Sequence, residues 1–280
     1  MRVAAQGRGL GDMAVLLAVL GLAAVWVAPI VWVVALSFKP NEALMRSTGQ
    51  VLSPPFTLRN YTDILNASLV FGWMLNSALV AVGQTVLTLV IASAAGYGFA
   101  RTSFPGKPVL FGLTLAAFAV PEQAIIVPLH TIFSYLGLHN TYAALIAPRL
   151  AFPFGVLLMA QYFRAISPEI EEAALLDSAS RFKVFWRIML PLSVPAQATL
   201  GIYTFLHAWN DYFWPLVSAT KPEMYTLTIG LASMQTNFAQ TEGIGFLMAQ
   251  AVFAGLPVLI LYLFFQRHIV NAAAGGAAAR

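Results

Sequence analysis

Six stretches of this chain are apolar almost without interruption and long enough to cross a bilayer: residues 13–36, 74–99, 108–129, 141–163, 196–218 and 244–265. A hydrocarbon core of ~30 Å takes ~20 such residues as a helix, and lipid leaves backbone N–H and C=O groups no partners except those within the helix. The sequence therefore predicts an all-α membrane protein with six transmembrane helices. Composition agrees: 59% of the 280 residues are hydrophobic and 9% are charged, against roughly 25% charged in a soluble domain. So little charge cannot wet a soluble surface, which excludes secreted, nucleic-acid-binding and ordinary cytosolic enzyme classes. Without cysteine, disulfides, thiolate metal sites and cysteine nucleophiles drop out together. The first apolar run follows Arg2, Arg8 and Asp12 as a signal peptide would. It is far longer than the ~7–15 apolar residues of a cleaved leader, so it is read as an uncleaved first span.

Orientation follows from the basic residues, which short cytoplasmic segments retain. With an inside N-terminus, the inner segments hold Arg2, Arg8, Arg101, Lys107, Arg164, Arg181, Lys183, Arg187, Arg267 and Arg280, and the outer ones hold Lys39, Arg46, Arg59 and Lys221. Both termini are accordingly expected inside. This divides the chain into a cytoplasmic N-terminus (1–12), a transmembrane domain (13–265) and a cytoplasmic tail (266–280). Outside, residues 37–70 are rich in Pro, Asn and Thr and read as an extended segment with room for one short helix. Inside, residues 164–195 form the largest cytoplasmic feature, with helical composition.

In that segment Ser167 suits a helix N-cap, Pro168 its first position, and Glu169, Glu171 and Glu172 the positive end of the dipole. Arg181, Lys183 and Arg187 come late and Pro191 ends the run. A step of about 100° per residue puts Ala173, Ala174, Asp177 and Ser178 on one small, flat face carrying one carboxylate. Such a face either lies along the membrane surface or receives the backbone of another protein.

Glu-Ala-Ala from Glu172, then Asp177-Ser178-Ala179, then Phe185, Ile188 and Leu190-Pro191-Leu192, strongly resemble the coupling loop of permease subunits in ATP-binding-cassette importers. The resemblance is to the carbohydrate type, and within it to the shorter permease of the maltose system. Ser37-Phe38-Lys39-Pro40, Asn60-Tyr61, Phe104-Pro105-Gly106-Lys107, Trp209-Asn210-Asp211 and Gln266-Arg267 add to it, so that it covers nearly all of residues 13–270. The family pattern has glycine after the aspartate where this chain has Ser178, and the tail from Ala272 to Arg280 is richer in alanine. The resemblance implies a non-enzymatic, multi-pass subunit in the inner membrane of a prokaryote. It implies as partners a homologous second permease, two cytoplasmic ATPases that carry ATP and magnesium, and an extracytoplasmic solute-binding protein. Glu172, Ala173, Ala174, Asp177 and Ser178 would dock in the ATPase, and the cargo would be a sugar, an oligosaccharide, a polyol or glycerol phosphate. This chain has no phosphate loop of its own and implies no cofactor or metal within itself.

Charges inside spans default to function, and three occur here: Glu122, Arg149 and Asp211. At ~1.5 Å rise per residue all three lie about 18–22 Å from the inner side. Arg149 is expected either to neutralise Glu122 or Asp211 or to face an outer vestibule with them. Asn210, Asp211, Gln123, Glu122 and Arg149 are the candidate lining of a translocation pathway. The aromatics around Asp211, from Trp209 to Trp214, fit either an interfacial belt or a sugar contact. Pro121 and Pro128 bracket the polar patch of the third span, and Ala92-Ser93-Ala94-Ala95-Gly96 suits close helix packing. Arg149 is the one intramembrane cation, which favours neutral cargo. The glycines of Gly7-Arg8-Gly9-Leu10-Gly11 follow no strand, and His130, His139, His207 and His268 have no metal spacing. An ion-coupled secondary carrier is the alternative from another class. It accounts for the buried charges and leaves residues 167–190 without a purpose.

Overall fold

The computed structural model describes residues 10–46, 52–238 and 243–278. Arg2, Arg8, Arg280, Gly7 and Gly9, which entered the sequence reading, lie outside them. In chain order the helices are α1 (Leu10–Ser37), α2 (Asn41–Arg46), α3 (Arg59–Asn66), α4 (Val70–Arg101), α5 (Lys107–Phe118), α6 (Glu122–Tyr135), α7 (Tyr142–Ile146), α8 (Pro153–Ala165), α9 (Pro168–Leu176), α10 (Arg181–Val184), α11 (Leu190–Leu192), α12 (Val194–Asn210), α13 (Phe213–Ser218), α14 (Leu227–Phe238) and α15 (Gly243–Ala278). Among the described residues there is no strand.

Three stretches are straight and long enough to cross a membrane: Gly11–Ser37, Val70–Arg101 and Gly243–Phe264. The other three expected spans are each a bent pair. α5 and α6 meet at 103°, α7 with its 3-10 extension meets α8 at 51°, and Arg181–Leu192 meets α12 at 74°. Proline explains each break. Pro121 is extended (ψ 134°) ahead of α6, Phe152 is extended ahead of Pro153 as a residue before proline must be, and the third break falls at the non-helical Ser193, two residues ahead of Pro195 in the first turn of α12. Pro128, by contrast, stays inside α6. The expected fifth span to residue 218 is therefore corrected: α12 stops at Asn210, and α13 is separate. Residues 37–70 hold two short helices, α2 and α3, rather than one.

The chain forms two units. The first comprises Met1–Ala67 with Ser233–Pro257. Here Asn60 Nδ2 donates to the carbonyls of Ser37 (2.8 Å) and Lys39 (3.0 Å), and the Tyr61 hydroxyl meets Ser37 Oγ at 2.6 Å. An amide thus satisfies carbonyls orphaned where α1 ends, so the separate motifs at 37–40 and 60–61 are one structure. Lys39 is buried, with its ammonium donating to the Ser53 carbonyl and lying over the Phe56 ring.

The second unit, Ser68–Ala232 with Val258–Arg280, is built on α4, which packs against α8 and α12. Gly96 permits the closest approach, because a Cβ there would lie 2.6 Å from Met159 Cβ and 2.8 Å from Ala160 N. Ala92, Met159, Phe163, Met189 and Leu200 fill the adjoining core. Polar side chains of α4 hold the connection before α14: Trp73 Nε1 donates to Pro222 O, Asn76 Nδ2 to Glu223 O and Tyr225 O, and Ser77 Oγ accepts from Leu227 N–H.

Because Gly96 leaves no room for a side chain, Gly96→Val should force α4 and α8 apart and destabilise the chain by about 1–3 kcal/mol, as overpacking does. The thermal unfolding midpoint of the purified protein in detergent should fall. An unchanged midpoint would show that this contact is looser than described.

Candidate functional site

Glu122, Arg149 and Asp211, the three charges expected inside spans, sit at three helix ends. Glu122 is the first residue of α6, Arg149 ends the 3-10 turn Ala147–Arg149 between α7 and α8, and Asp211 follows the last residue of α12. These ends meet. Arg149 Nη1 donates to Glu122 Oε2, while Nε and Nη2 donate to Asp211 Oδ2 at 3.2 and 3.0 Å. The guanidinium therefore bridges both acids rather than choosing one. Arg149 and Asp211 are nearly buried (12% and 11% exposed), and Glu122 is 42% exposed. Glu122 lies at a helix N-terminus, where the dipole favours an anion. Asp211 lies at a C-terminus, where the dipole opposes it, and its stability rests on Arg149. His207 Nε2 stands 3.6 Å from Glu122 Oε1.

Two cavities, of about 580 and about 490 Å³, open beside this cluster and share Glu122, Arg149, Tyr203 and His207. Gln123, Asn210 and Asp211 line the second. Asn210 also donates back to Leu206 O within its own helix. Trp209 and Trp214 are neither belt nor lining: both are buried, and Trp214 Nε1 donates to Ala144 O at 2.8 Å. Sequence reading missed Phe152 and Tyr203. The signal was there: Tyr203 and His207 lie four apart on one face of α12, with Asp211 four further on, just past its end.

The segment after α8 differs from the single helix expected over 167–190. α9 ends at Leu176, and the chain turns and restarts at Arg181, with a π-helical turn over Phe185–Met189. Pro191 does not end the run, which continues to Leu192. Ser167 occupies the N-cap position without a side-chain bond. The stop has a clear cause. Ser178 adopts φ 59°, its N–H bonds Leu175 O (3.0 Å), and the Ala179 N–H bonds Ala174 O (3.1 Å), the paired closure of a Schellman cap. Glycine suits that left-handed position, and serine there is strained. Glu172, Ala173, Asp177 and Ser178 are exposed. Ala174 is half-buried against the chain's own core, so the expected continuous face is divided.

Glu171, expected to serve only the dipole, is instead buried. It accepts from the Tyr97 hydroxyl (2.7 Å) and pairs with Arg101 (Nε–Oε2 3.8 Å). Arg101 Nη2 also donates to the carbonyls of Phe163 (2.6 Å) and Ile166. One guanidinium thus joins the end of α4, the end of α8 and α9. Among the described residues no group of His, Asp and Glu is arranged to hold a metal.

Broken apolar helices whose ends converge on a polar cluster beside cavities define a membrane transport subunit. The chain belongs to the family of binding-protein-dependent transport system inner membrane components, which matches residues 88–274. It is 34% identical over 252 residues to the arabinooligosaccharides transport system permease protein AraQ of Halalkalibacterium halodurans, covering 89% of this chain and 90% of that one. It is 32% identical to the diacetylchitobiose uptake system permease protein NgcG of Streptomyces coelicolor (89% and 83% covered) and 31% identical to the trehalose transport system permease protein SugB of Mycobacterium tuberculosis (89% and 91%). Among solved structures, a chain of a bacterial ABC transporter that imports alginate shares the fold, with a TM-score of 0.77 at 21% identity over 95% of this chain and 99% of that chain.

Two expectations follow. Arg149→Met leaves Asp211 buried without a partner, which should cost about 3–5 kcal/mol; adding Asp211→Asn should recover part of it, read by thermal unfolding in detergent. Ser178→Gly relieves the left-handed strain by about 0.5–1 kcal/mol. Hydrogen exchange at the Ala179 amide should therefore slow by about two- to fivefold, and no slowing would contradict the strained cap.

Proposed function

We propose that the chain is one permease subunit of an ATP-driven importer that carries a sugar or oligosaccharide across the cytoplasmic membrane of a prokaryote. It pairs with a homologous permease, two ATPases that bind ATP and magnesium, and an extracytoplasmic solute-binding protein. Family membership and the sugar-transport permeases among its relatives support this reading. In it the chain crosses the membrane six times with both termini inside, three of the crossings being the bent pairs, and α9 faces the ATPase.

One observation carries the energy-coupling role: an exposed small-residue surface on a helix that is rigidly tied to the transmembrane core. Ala173 and Ser178 let another backbone approach, Glu172 and Asp177 offer carboxylates, and the Arg101–Glu171–Tyr97 contacts fasten α9 to α4 and α8. A push on α9 then moves the bundle as one body. The lever is short and buttressed rather than a long helix. An ion-coupled carrier has no observation in its favour, since each buried charge of the cluster already has its counter-ion in the chain.

Ala173→Trp should block the docking surface without touching the core. In the reconstituted complex, ATP turnover stimulated by the loaded binding protein should fall at least tenfold while the chain stays folded. Ala174 is unsuitable for this test, because its side chain packs on the protein itself. Full turnover by an assembled Ala173→Trp complex would remove the docking role.

A further inference from the structure

The cavity of about 580 Å³ falls within the ~300–1,000 Å³ of small-molecule sites, and its walls are of two kinds. One is aromatic. Phe152 and Tyr203 lie 5.7 Å apart at 17°, and Tyr203 and His207 lie 6.2 Å apart at 19°, so Tyr203, 48% exposed, is stacked with a ring on either side, while Phe152 and His207 are tilted by 36° to each other. The other is hydrogen-bonding. Glu122 presents its carboxylate, Gln84 projects from α4, and Thr204 Oγ1 is buried without a hydrogen-bond partner among the described residues. A sugar ring answers both walls, with a C–H face for the aromatics and a rim of hydroxyls for the carboxylate, amide and hydroxyl.

Charge narrows the ligand further. The groups facing the cavity or its cluster are Arg149, Glu122, Asp211 and His207. Arg149 spends Nε, Nη1 and Nη2 on the two acids. One guanidinium against two carboxylates leaves these three groups with an excess of one negative charge, and the guanidinium has no side left for a second anion. A carboxylate or phosphate on the ligand would lie against the open side of Glu122, where partial burial weakens solvent screening.

We infer that this cavity is a carbohydrate subsite contributed by this chain. It seats a neutral sugar ring against Tyr203 and Phe152 and turns away uronates and sugar phosphates through its carboxylate excess. The inference rests on the importer reading above and adds to it the cargo class and the residues that select it.

The test uses the assembled complex of both permeases and both ATPases in lipid nanodiscs. It is photolabelled with diazirine-tagged trehalose or diazirine-tagged digalacturonate at equal millimolar concentration, and the labelled peptides are mapped by mass spectrometry. Trehalose should label peptides carrying Phe152 or Tyr203 at least tenfold above digalacturonate. Tyr203→Ala should lower the trehalose label about tenfold, Tyr203→Phe should retain it, and Glu122→Gln should raise the digalacturonate label. The wild-type map alone is decisive should a variant fail to fold. Equal labelling by the two probes, or trehalose label confined to other parts of the complex, would overturn the subsite. Failure of the importer reading shows separately, as no ATP-dependent uptake of any sugar by the complex with its binding protein.

Discussion

A helix that stops inside lipid leaves backbone groups and any nearby charge without water, so stops are tolerated only where they can satisfy one another. This chain places three of them together. Glu122, Arg149 and Asp211 each mark a break, and the Arg149 guanidinium closes all three with bonds to both carboxylates. Both cavities are lined by Glu122 and Arg149 of that junction. Without it the start of α6, the turn before α8 and the end of α12 would have no common polar contact, and Asp211 would be buried without a counter-ion.

The second dependence is on α4. Its C-terminal part takes α8 at van der Waals contact through Gly96, and its last residue, Arg101, ties α8 and α9 together. The element that presents small residues to a partner is thus fixed to the same helix that packs on α8 and α12, whose ends carry the polar junction. Buried contacts thus run from α9 through Glu171, Tyr97 and Arg101 into α4, and from α4 into α8 and α12.

Much of this was legible in the sequence because lipid imposes simple rules. The apolar stretches appear as three long apolar helices and three bent pairs, and the small-residue run at 92–96 as the close contact of α4 with α8. Equal depth was enough to suspect that Arg149 pairs with an acid. The bends were less legible: Pro121, Pro153 and Pro195 are visible, yet whether a proline kinks or breaks a helix depends on tertiary partners, as Pro128 inside α6 demonstrates. Glu171 was misread because a glutamate in a first helical turn normally serves the dipole, and its partners Tyr97 and Arg101 lie seventy or more residues away. Ser178 was noticed as a departure from glycine; its left-handed φ supplies the reason glycine belongs there. Phe152 has no local pattern that separates a cavity-lining aromatic from a lipid-facing one, whereas Tyr203 stands four residues before His207 and eight before Asp211, a spacing that carries it onto the polar side.

The central junction is most directly tested by solid-state NMR of the complex in bilayers, measuring dipolar couplings from the Arg149 guanidinium to the Glu122 and Asp211 carboxyl carbons. Strong couplings to both, at ion-pair contact, are the expected result. A guanidinium coupled to neither carboxylate, or to one alone, would contradict a single cluster joining the three breaks.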